Sequence, residues 1–357
     1  MEKILVINPG STSSKISVYH DETSLFVEKI EHSPEVIAQY NKIPDQYEMR
    51  KDLILNVLKQ KGVDINELTA VVARGGLLPA VQAGAYRVNQ DMVDQLRYNP
   101  VHEHASNLGA IIAFGIAELL GIPAYIYDPV TVDELKPIAR VTGFPEIERI
   151  GIGHNLNMRA IAIKYAKSVD KPYNKLNLIV AHLGSGLTIS LHNNGRMVDI
   201  VADDEGAFAP ERSGGAPIAI LGKYIINQGF DIKTYMHKIK RECGFKAHFG
   251  TMDAREIEDR IAKGDERAAL VYEAFSYNVA KNIASLAAVI KGQVDAILLT
   301  GGIAYSKMTT DWITERVKFI APVIIFPGEN EMESLAQGTL RVLRGEEEAH
   351  TFVRKEV

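Results

Sequence analysis

Three glycine-bearing loops hold most of the residues of this 357-residue chain whose types and spacing suit chemistry. The first is Asn8-Pro9-Gly10-Ser11-Thr12-Ser13-Ser14-Lys15. A bend of this kind offers backbone N–H groups, hydroxyls and a lysine, which together can wrap a terminal phosphate. It lacks the G-x-x-x-x-G-K-[ST] spacing and joins two strands, so it is a hairpin tip and not a strand-to-helix phosphate loop. Alone, the same composition also suits a plain solvated turn. The second loop, His182-Leu183-Gly184-Ser185-Gly186, repeats that setting, and two such loops can hold a polyphosphate. The third ends the apolar run Leu298-Leu299 in Thr300-Gly301-Gly302, where missing side chains let a flat ring approach the backbone, as an adenosine site needs. The candidates for nucleotide contact are therefore Asn8, Gly10, Ser11, Ser13, Lys15, His182, Gly184, Ser185, Gly186, Gly301 and Gly302.

The elements that must position these loops follow a repeated grammar. Ile4 to Ile7 reads as a strand, Asn8 to Ser14 as a loop, and Ile16, Val18, Phe26 and Val27 as further short strands. A helix is expected over 45–60, a strand over 70–73 ending in Arg74-Gly75-Gly76, a helix over 102–120, and a strand over 124–127 stopping at Asp128-Pro129. The pattern then starts again. Leu178 to Ala181 is a strand, the second loop follows, Thr188 to His192 returns, and Asn193-Asn194-Gly195 turns into Met197 to Val201. Ile4-Leu5-Val6-Ile7 matches Leu178-Ile179-Val180-Ala181, and Gly10-Ser11 matches Gly184-Ser185, so the chain carries an internal duplication. Helices are expected at 218–227, within 253–291 and at 331–343, with strands at 296–300 and 323–326. The charged tail from Gly345 onwards reads as a solvated or frayed terminus.

Composition narrows the class. Length favours two domains, and 46% hydrophobic with 24% charged residues is ordinary for a globular protein. A net charge of −5 argues against a dedicated nucleic-acid partner. Cys243 is the one cysteine, which excludes an internal disulfide or thiolate cluster and fits a cytoplasmic location. Met1 to Gly10 is no signal-peptide core, and the longest apolar stretch, 109–126, is broken by Glu118 and Gly121-Ile122-Pro123. It reads as a buried helix followed by a strand, and no membrane association is expected.

The loops and the duplicated strands resemble the superfamily of acetate and sugar kinases, heat-shock chaperone ATPases and actin, and more closely the acetate kinase family. The resemblance runs over essentially the whole chain. Its landmarks are Asn8-Pro9-Gly10-Ser11, Asn99-Pro100-Val101-His102, Asp128-Pro129, His154, 182–186, Glu211-Arg212-Ser213-Gly214 and 329–336. It implies an α/β fold of two duplicated actin-like (ribonuclease H-like) domains with a nucleotide cleft between them. Residues 1–150 with the C-terminal helix 331–357 would form the first domain, and 151–330 the second. It also implies ATP and Mg²⁺, a short-chain carboxylate or its acyl phosphate, and homo-oligomers.

A carboxylate is already ionised at neutral pH, so such a reaction needs no general base; its difficulty is the approach of an anion to a phosphoryl group. Arginines, histidines and a metal suit that task. On the resemblance, Arg212 contacts the transferring phosphoryl group and His154 stabilises the transition state. Acetate kinases carry a second histidine after the latter, where this chain has Asn155-Leu156-Asn157-Met158. Arg74 is the candidate for orienting the carboxylate, on a strand end shorter than the family's His-Arg…His-Gly-Gly pattern. His102 would place substrate, and Asp128 would position Mg²⁺ through water or align the site. Glu331, with Asn8, would serve the metal; Glu333 is its rival, because the local pattern is one residue longer. The shortened Arg74 loop and the missing histidine favour butanoate over acetate, propanoate or branched acids. An ATP-gated interaction protein of the chaperone or filament type is the remote alternative, since it would leave Arg212 and His154 without a task.

Overall fold

The computed structural model describes residues 1–354, and contacts divide the chain into two units, 1–133 with 330 onwards, and 134–329. In the first, β1 (Lys3–Pro9), β2 (Ser13–His20) and β3 (Thr23–Glu31) form an antiparallel meander. The bend between β1 and β2 is shorter than the expected 8–14, because pairing continues through Asn8↔Lys15 and Pro9↔Ser14. β4 (Ala70–Arg74), β5 (Ala85–Arg87) and β6 (Ala124–Tyr127) follow, with β4 parallel to β1 and β6 parallel to β4. β4 and β6 are buried apolar runs, as strands covered on both faces must be.

Two helices of this unit matter for the site. α1 (Tyr47–Gln60) turns Arg50, Ile54 and Leu58 inward at a four-residue spacing. α2 (Asn107–Leu120) is apolar almost all round and buried over 107–113 and at Ile116 and Ala117, and Gly121 at φ 65° ends it as a left-handed cap. It starts at Asn107, not at residue 102, and Asn107 Oδ1 accepts the Leu77 N–H at 2.8 Å. Gly76 is required where the chain after β4 passes this helix, since a Cβ there would lie 2.6 Å from Asn107 Oδ1, and Gly75 where it passes Pro129, whose Cβ would lie 2.5 Å away.

The second unit repeats the plan. α3 (Asn155–Ser168) precedes the antiparallel strands β7 (Leu178–Leu183), β8 (Leu187–Asn193) and β9 (Arg196–Val201). α4 (Ile218–Gln228) and the long α5 (Glu266–Val289) follow, then β10 (Ala296–Gly301), α6 (Lys307–Val317) and β11 (Val323–Pro327). The sheet order is β11-β10-β7-β8-β9, with β10 parallel to β7 and to β11. The order β6-β4-β1-β2-β3 of the first unit has the same connectivity, so the duplication read from the loops is one of topology. α5 supplies Val271, Tyr272, Phe275, Val279 and Ile283 to the core over this sheet.

The unit boundary falls at 133/134, not at 150. Residues 134–149 are tied to β9: Glu134 Oε2 accepts the Met197 N–H at 2.9 Å, Lys136 donates to Val198 O at 3.1 Å, and Arg149 pairs with Asp199 at 3.0 Å. Past β11 the chain contributes α7 (Glu331–Leu343) and β12 (His350–Thr351) to the first unit, whose full order is β12-β5-β6-β4-β1-β2-β3. The segment after Gly345 is therefore not a frayed tail as far as Phe352. β12 pairs with β5, Phe352 is buried and its carbonyl accepts from Asn89, and Glu347 accepts from Tyr127 Oη at 2.6 Å. The expected extent of this domain to residue 357 includes 355–357, which lie outside the described residues. Among the described residues no helix is long and apolar enough to cross a membrane.

Candidate active site

In the first unit Asn8, Arg74 and Glu331 converge at the C-terminal ends of β1 and β4. Asn8 Nδ2 donates to Glu331 Oε2 at 2.7 Å, and the other carboxylate oxygen of Glu331 pairs with Arg74. Glu331 thus sits at the first turn of α7, held by the two strand ends; Glu333 instead accepts from Gln337 at 2.9 Å. A cavity of about 470 Å³ opens beside this cluster, with Gly10, Ser13, Arg74 and His104 around it and Pro9, Leu77 and Val130 as apolar walls.

The imidazole at this cavity is His104, not His102. His102 is exposed in the turn before α2, where its carbonyl accepts from Asn107 at 2.9 Å. His104 Nδ1 lies 2.8 Å from Ser106 Oγ, and shielding from water first, then Arg74 and His102, push its pKa below the ordinary value. It is a neutral imidazole at pH 7. Asp128 is also placed differently from the expectation. It is buried at φ 40°, and its Oδ1 accepts the Gly84 N–H at 2.7 Å, so it locks a turn while Val130 from the same segment reaches the cavity. Lys15 is exposed on β2 opposite Asn8, and Ser11 turns its carbonyl inward; neither lines the cavity.

In the second unit, His182 lies next to the end of β7 and is buried among specific partners. Its Nδ1 lies 2.8 Å from Asn157 Nδ2, and its ring stacks on His154 with centroids 4.0 Å apart and planes at 10°. Its Nε2 is 3.0 Å from Glu329 Oε1, close enough to pair but off the hydrogen-bond direction. His154, at the start of α3, has Nδ1 2.9 Å from Thr188 Oγ1, so a strand and a neighbouring ring fix its orientation. The chain can enter there because residue 153 is glycine: a Cβ would lie 2.6 Å from Thr188 Cγ2.

The loop 184–186 has the same need for glycine. A Cβ at Gly186 would lie 2.6 Å from Arg212 Nη1, so the missing side chain is what lets the guanidinium lie against the loop. Arg212 is held by Asp203, and its Nε is buried with no hydrogen-bond partner, a donor available to a ligand. A cavity of about 680 Å³ adjoins, with Gly184, Ser185 and Gly302 on one side and Met252, Arg255, Glu258, Tyr305 and Lys307 on others. Gly301 does not face it. At φ 92° it exchanges backbone hydrogen bonds with Gly328 (3.2 and 2.9 Å), and it leaves Gly302 open to the cavity. A volume of this size holds a nucleoside-sized ligand.

Sequence reasoning missed Arg50, His104, Glu329 and the rim residues Arg255, Glu258, Tyr305 and Lys307. The His-x-His spacing at 102–104 carried a signal for one of them, and Glu329 opens the landmark 329–336; the others lie in no motif. Among the described residues no three His, Cys, Asp or Glu side chains converge as a protein-built metal cage. The Glu331 carboxylate and the Asn8 amide oxygen are nonetheless a donor set that Mg²⁺ accepts, since that ion usually takes one or two protein oxygens and completes its shell with phosphate and water.

The sequence profile of the acetokinase family matches residues 146–324. Butyrate kinase 1 of Clostridium acetobutylicum is 47% identical over 354 residues, 99% of this chain and 100% of that protein. Butyrate kinase 2 of the same organism is 48% identical over 352 residues, 98% and 99% of the two chains. The chain belongs to the acetokinase family. The crystal structure of Porphyromonas gingivalis acetate kinase superposes with a TM-score of 0.82 at 20% identity, covering 96% of this chain and 100% of that one. The actin-like α/β fold that the resemblance implied is therefore the fold observed.

Proposed function

We propose that this chain transfers the γ-phosphoryl group of ATP to butanoate by direct in-line displacement, giving butanoyl phosphate and ADP. The observation that carries the reading is the first unit's cavity, where Arg74 offers a cation at one end and Pro9, Leu77 and Val130 offer aliphatic walls. A short fatty carboxylate has the matching polarity. The names and near-complete coverage of the two butyrate kinases support the same substrate.

The carboxylate is ionised at pH 7, so no residue has to remove a proton, and the histidines serve as donors. Arg74 orients the nucleophile and the neutral His104 can donate a hydrogen bond to it. The loops at Gly10–Ser13 and Gly184–Gly186 hold phosphate oxygens through N–H and hydroxyl groups, and the cavity beside Gly302 takes the nucleoside. Arg212 and His154 stabilise the charge that builds on the equatorial oxygens. Glu331 and Asn8 would hold Mg²⁺, which when bound offsets charge on the phosphate oxygens. Asp128 aligns the site by fixing the turn that carries Val130.

A cytosolic location and self-association complete the reading. α4 supports the latter: none of its residues is buried, and Ile218, Ile220 and Ile226 are 74%, 68% and 79% exposed. The deciding assay traps acyl phosphate as hydroxamate with acetate, propanoate, butanoate and isobutanoate, with glycerol phosphorylation run alongside. The highest kcat/KM is expected for butanoate. Activity with glycerol alone refutes carboxylate phosphorylation, and equal constants for acetate and butanoate refute the butanoate assignment.

A further inference from the structure

Beneath the β1–β2 bend lies a cation that the reaction as described does not use. Arg50 sits on the inner stripe of α1 with Ile54 and Leu58 and is 1% exposed. Its Nη1 donates to Gly10 O at 2.9 Å and Ser13 O at 3.1 Å, and its Nη2 donates to Ser11 O at 3.1 Å. Nη1 also reaches Ser14 Oγ at 3.2 Å, while Nε and Nη2 share Gln46 Oε1 at 3.1 and 2.9 Å. His32 closes the pocket from the side: Nε2 lies 2.9 Å from Ser14 Oγ, and the backbone N–H donates to Thr12 O at 2.8 Å.

Every hydrogen-bond partner of this guanidinium is a neutral oxygen, and among the described residues no carboxylate pairs with it. Burying a guanidinium in that way is costly, and carbonyl dipoles offset only part of the cost. The same contacts draw the acceptors of the bend inward, and the Gly10 N–H is itself used within the bend, donating to Ser13 O at 2.7 Å, so the rim's remaining donors are the N–H groups of Ser11 and Thr12 and the hydroxyls. The described residues supply no carboxylate to Arg50 on the inner side. An anion seated on the outer rim would supply it through the thickness of the loop.

We infer that Arg50 is a positioning residue of the phosphoryl site: it sets the bend at 10–13 with donors outward, and its charge is balanced by the transferable phosphoryl group of ATP or of the acyl phosphate. This rests on the reading of the bend as a phosphate-contacting loop. ADP lacks the group in question and is the internal control.

The experiment is calorimetric titration of the full-length protein, as wild type, Arg50→Gln and Arg50→Lys, with Mg-ATP and with Mg-ADP. Arg50→Gln is expected to weaken Mg-ATP at least tenfold, about 1.4 kcal/mol, and Mg-ADP less than twofold. Arg50→Lys keeps the charge and loses the fork, so an intermediate loss confined to ATP is expected. Equal weakening of both nucleotides is what a general packing defect produces, and it overturns the proposal, as does no weakening of either. Should Arg50→Gln fail to unfold cooperatively, Arg50→Lys carries the same comparison with the same overturning outcomes. Failure of the functional reading shows separately, as a wild type that forms no hydroxamate with any carboxylate.

Discussion

Both arginines proposed to handle anions are held by carboxylates of their own unit, Arg212 by Asp203 and Arg74 by Glu331. Such pairs fix a long, flexible side chain in one place, and a guanidinium keeps donors free for a second anion. Arg212 is further confined by its contact with Gly186. Its proposed role is specific to the transition state, so removal should cost turnover and not nucleotide affinity. Arg212→Ala is expected to lower kcat by about 10²–10³, or roughly 3–4 kcal/mol, with a much smaller change in the KM for ATP. Steady-state kinetics with butanoate as acceptor check this; an unaltered kcat would remove Arg212 from the site.

The β1–β2 hairpin shows how an element prepares a site before any ligand arrives. Its bend is carried by two strands with full pairing and is underpinned by α1 through Arg50 and by His32. Burial first and the nearby Arg50 second push the His32 imidazole down to about 4, against a smaller opposing effect of Glu31. Below about pH 6.5 the unfolded chain therefore binds a proton at this position that the folded chain does not. Folding stability must fall as pH drops from about 6.5 towards 4. Denaturant unfolding across that range should show the decline in wild type and a shallower one in His32→Asn. Identical slopes would mean that His32 titrates alike in both states.

At the scale of the whole molecule, the notable surface is α4, whose isoleucines face water along a helix with no buried residue. Exposing three large aliphatic side chains on one helix is costly unless a second surface covers them. A second copy of the chain is the expected cover. Replacing Ile218, Ile220 and Ile226 by serine should lower the mass measured by sedimentation at micromolar concentration. A mass unchanged by the triple substitution, or a monomeric wild type, would exclude this helix as a self-association surface.

Local periodicity, and glycines whose neighbours are close in the chain, were enough for the longer strands, the three loops, the duplication and the helices at 47–60, 218–228 and 331–343, but not for β5 or β12. α7 at Glu331–Leu343 and β6 at Ala124–Tyr127 are cases where hydrophobic pattern and flanking turns were sufficient. Tertiary structure alone decided which side chains share a site. The pairing of Arg74 with Glu331 spans 257 residues and that of Asn8 with Glu331 spans 323, and no local pattern encodes such contacts. His104, not His102, lines the cavity, and the turn that presents it is held by a contact distant in sequence, the Leu77 N–H donating to Asn107 Oδ1 across 30 residues. Arg50 has the sequence setting of an exposed helix residue, and its role is visible only because α1 packs that face beneath the hairpin. Periodicity assigns a residue to a face; the packing of distant elements decides what that face meets.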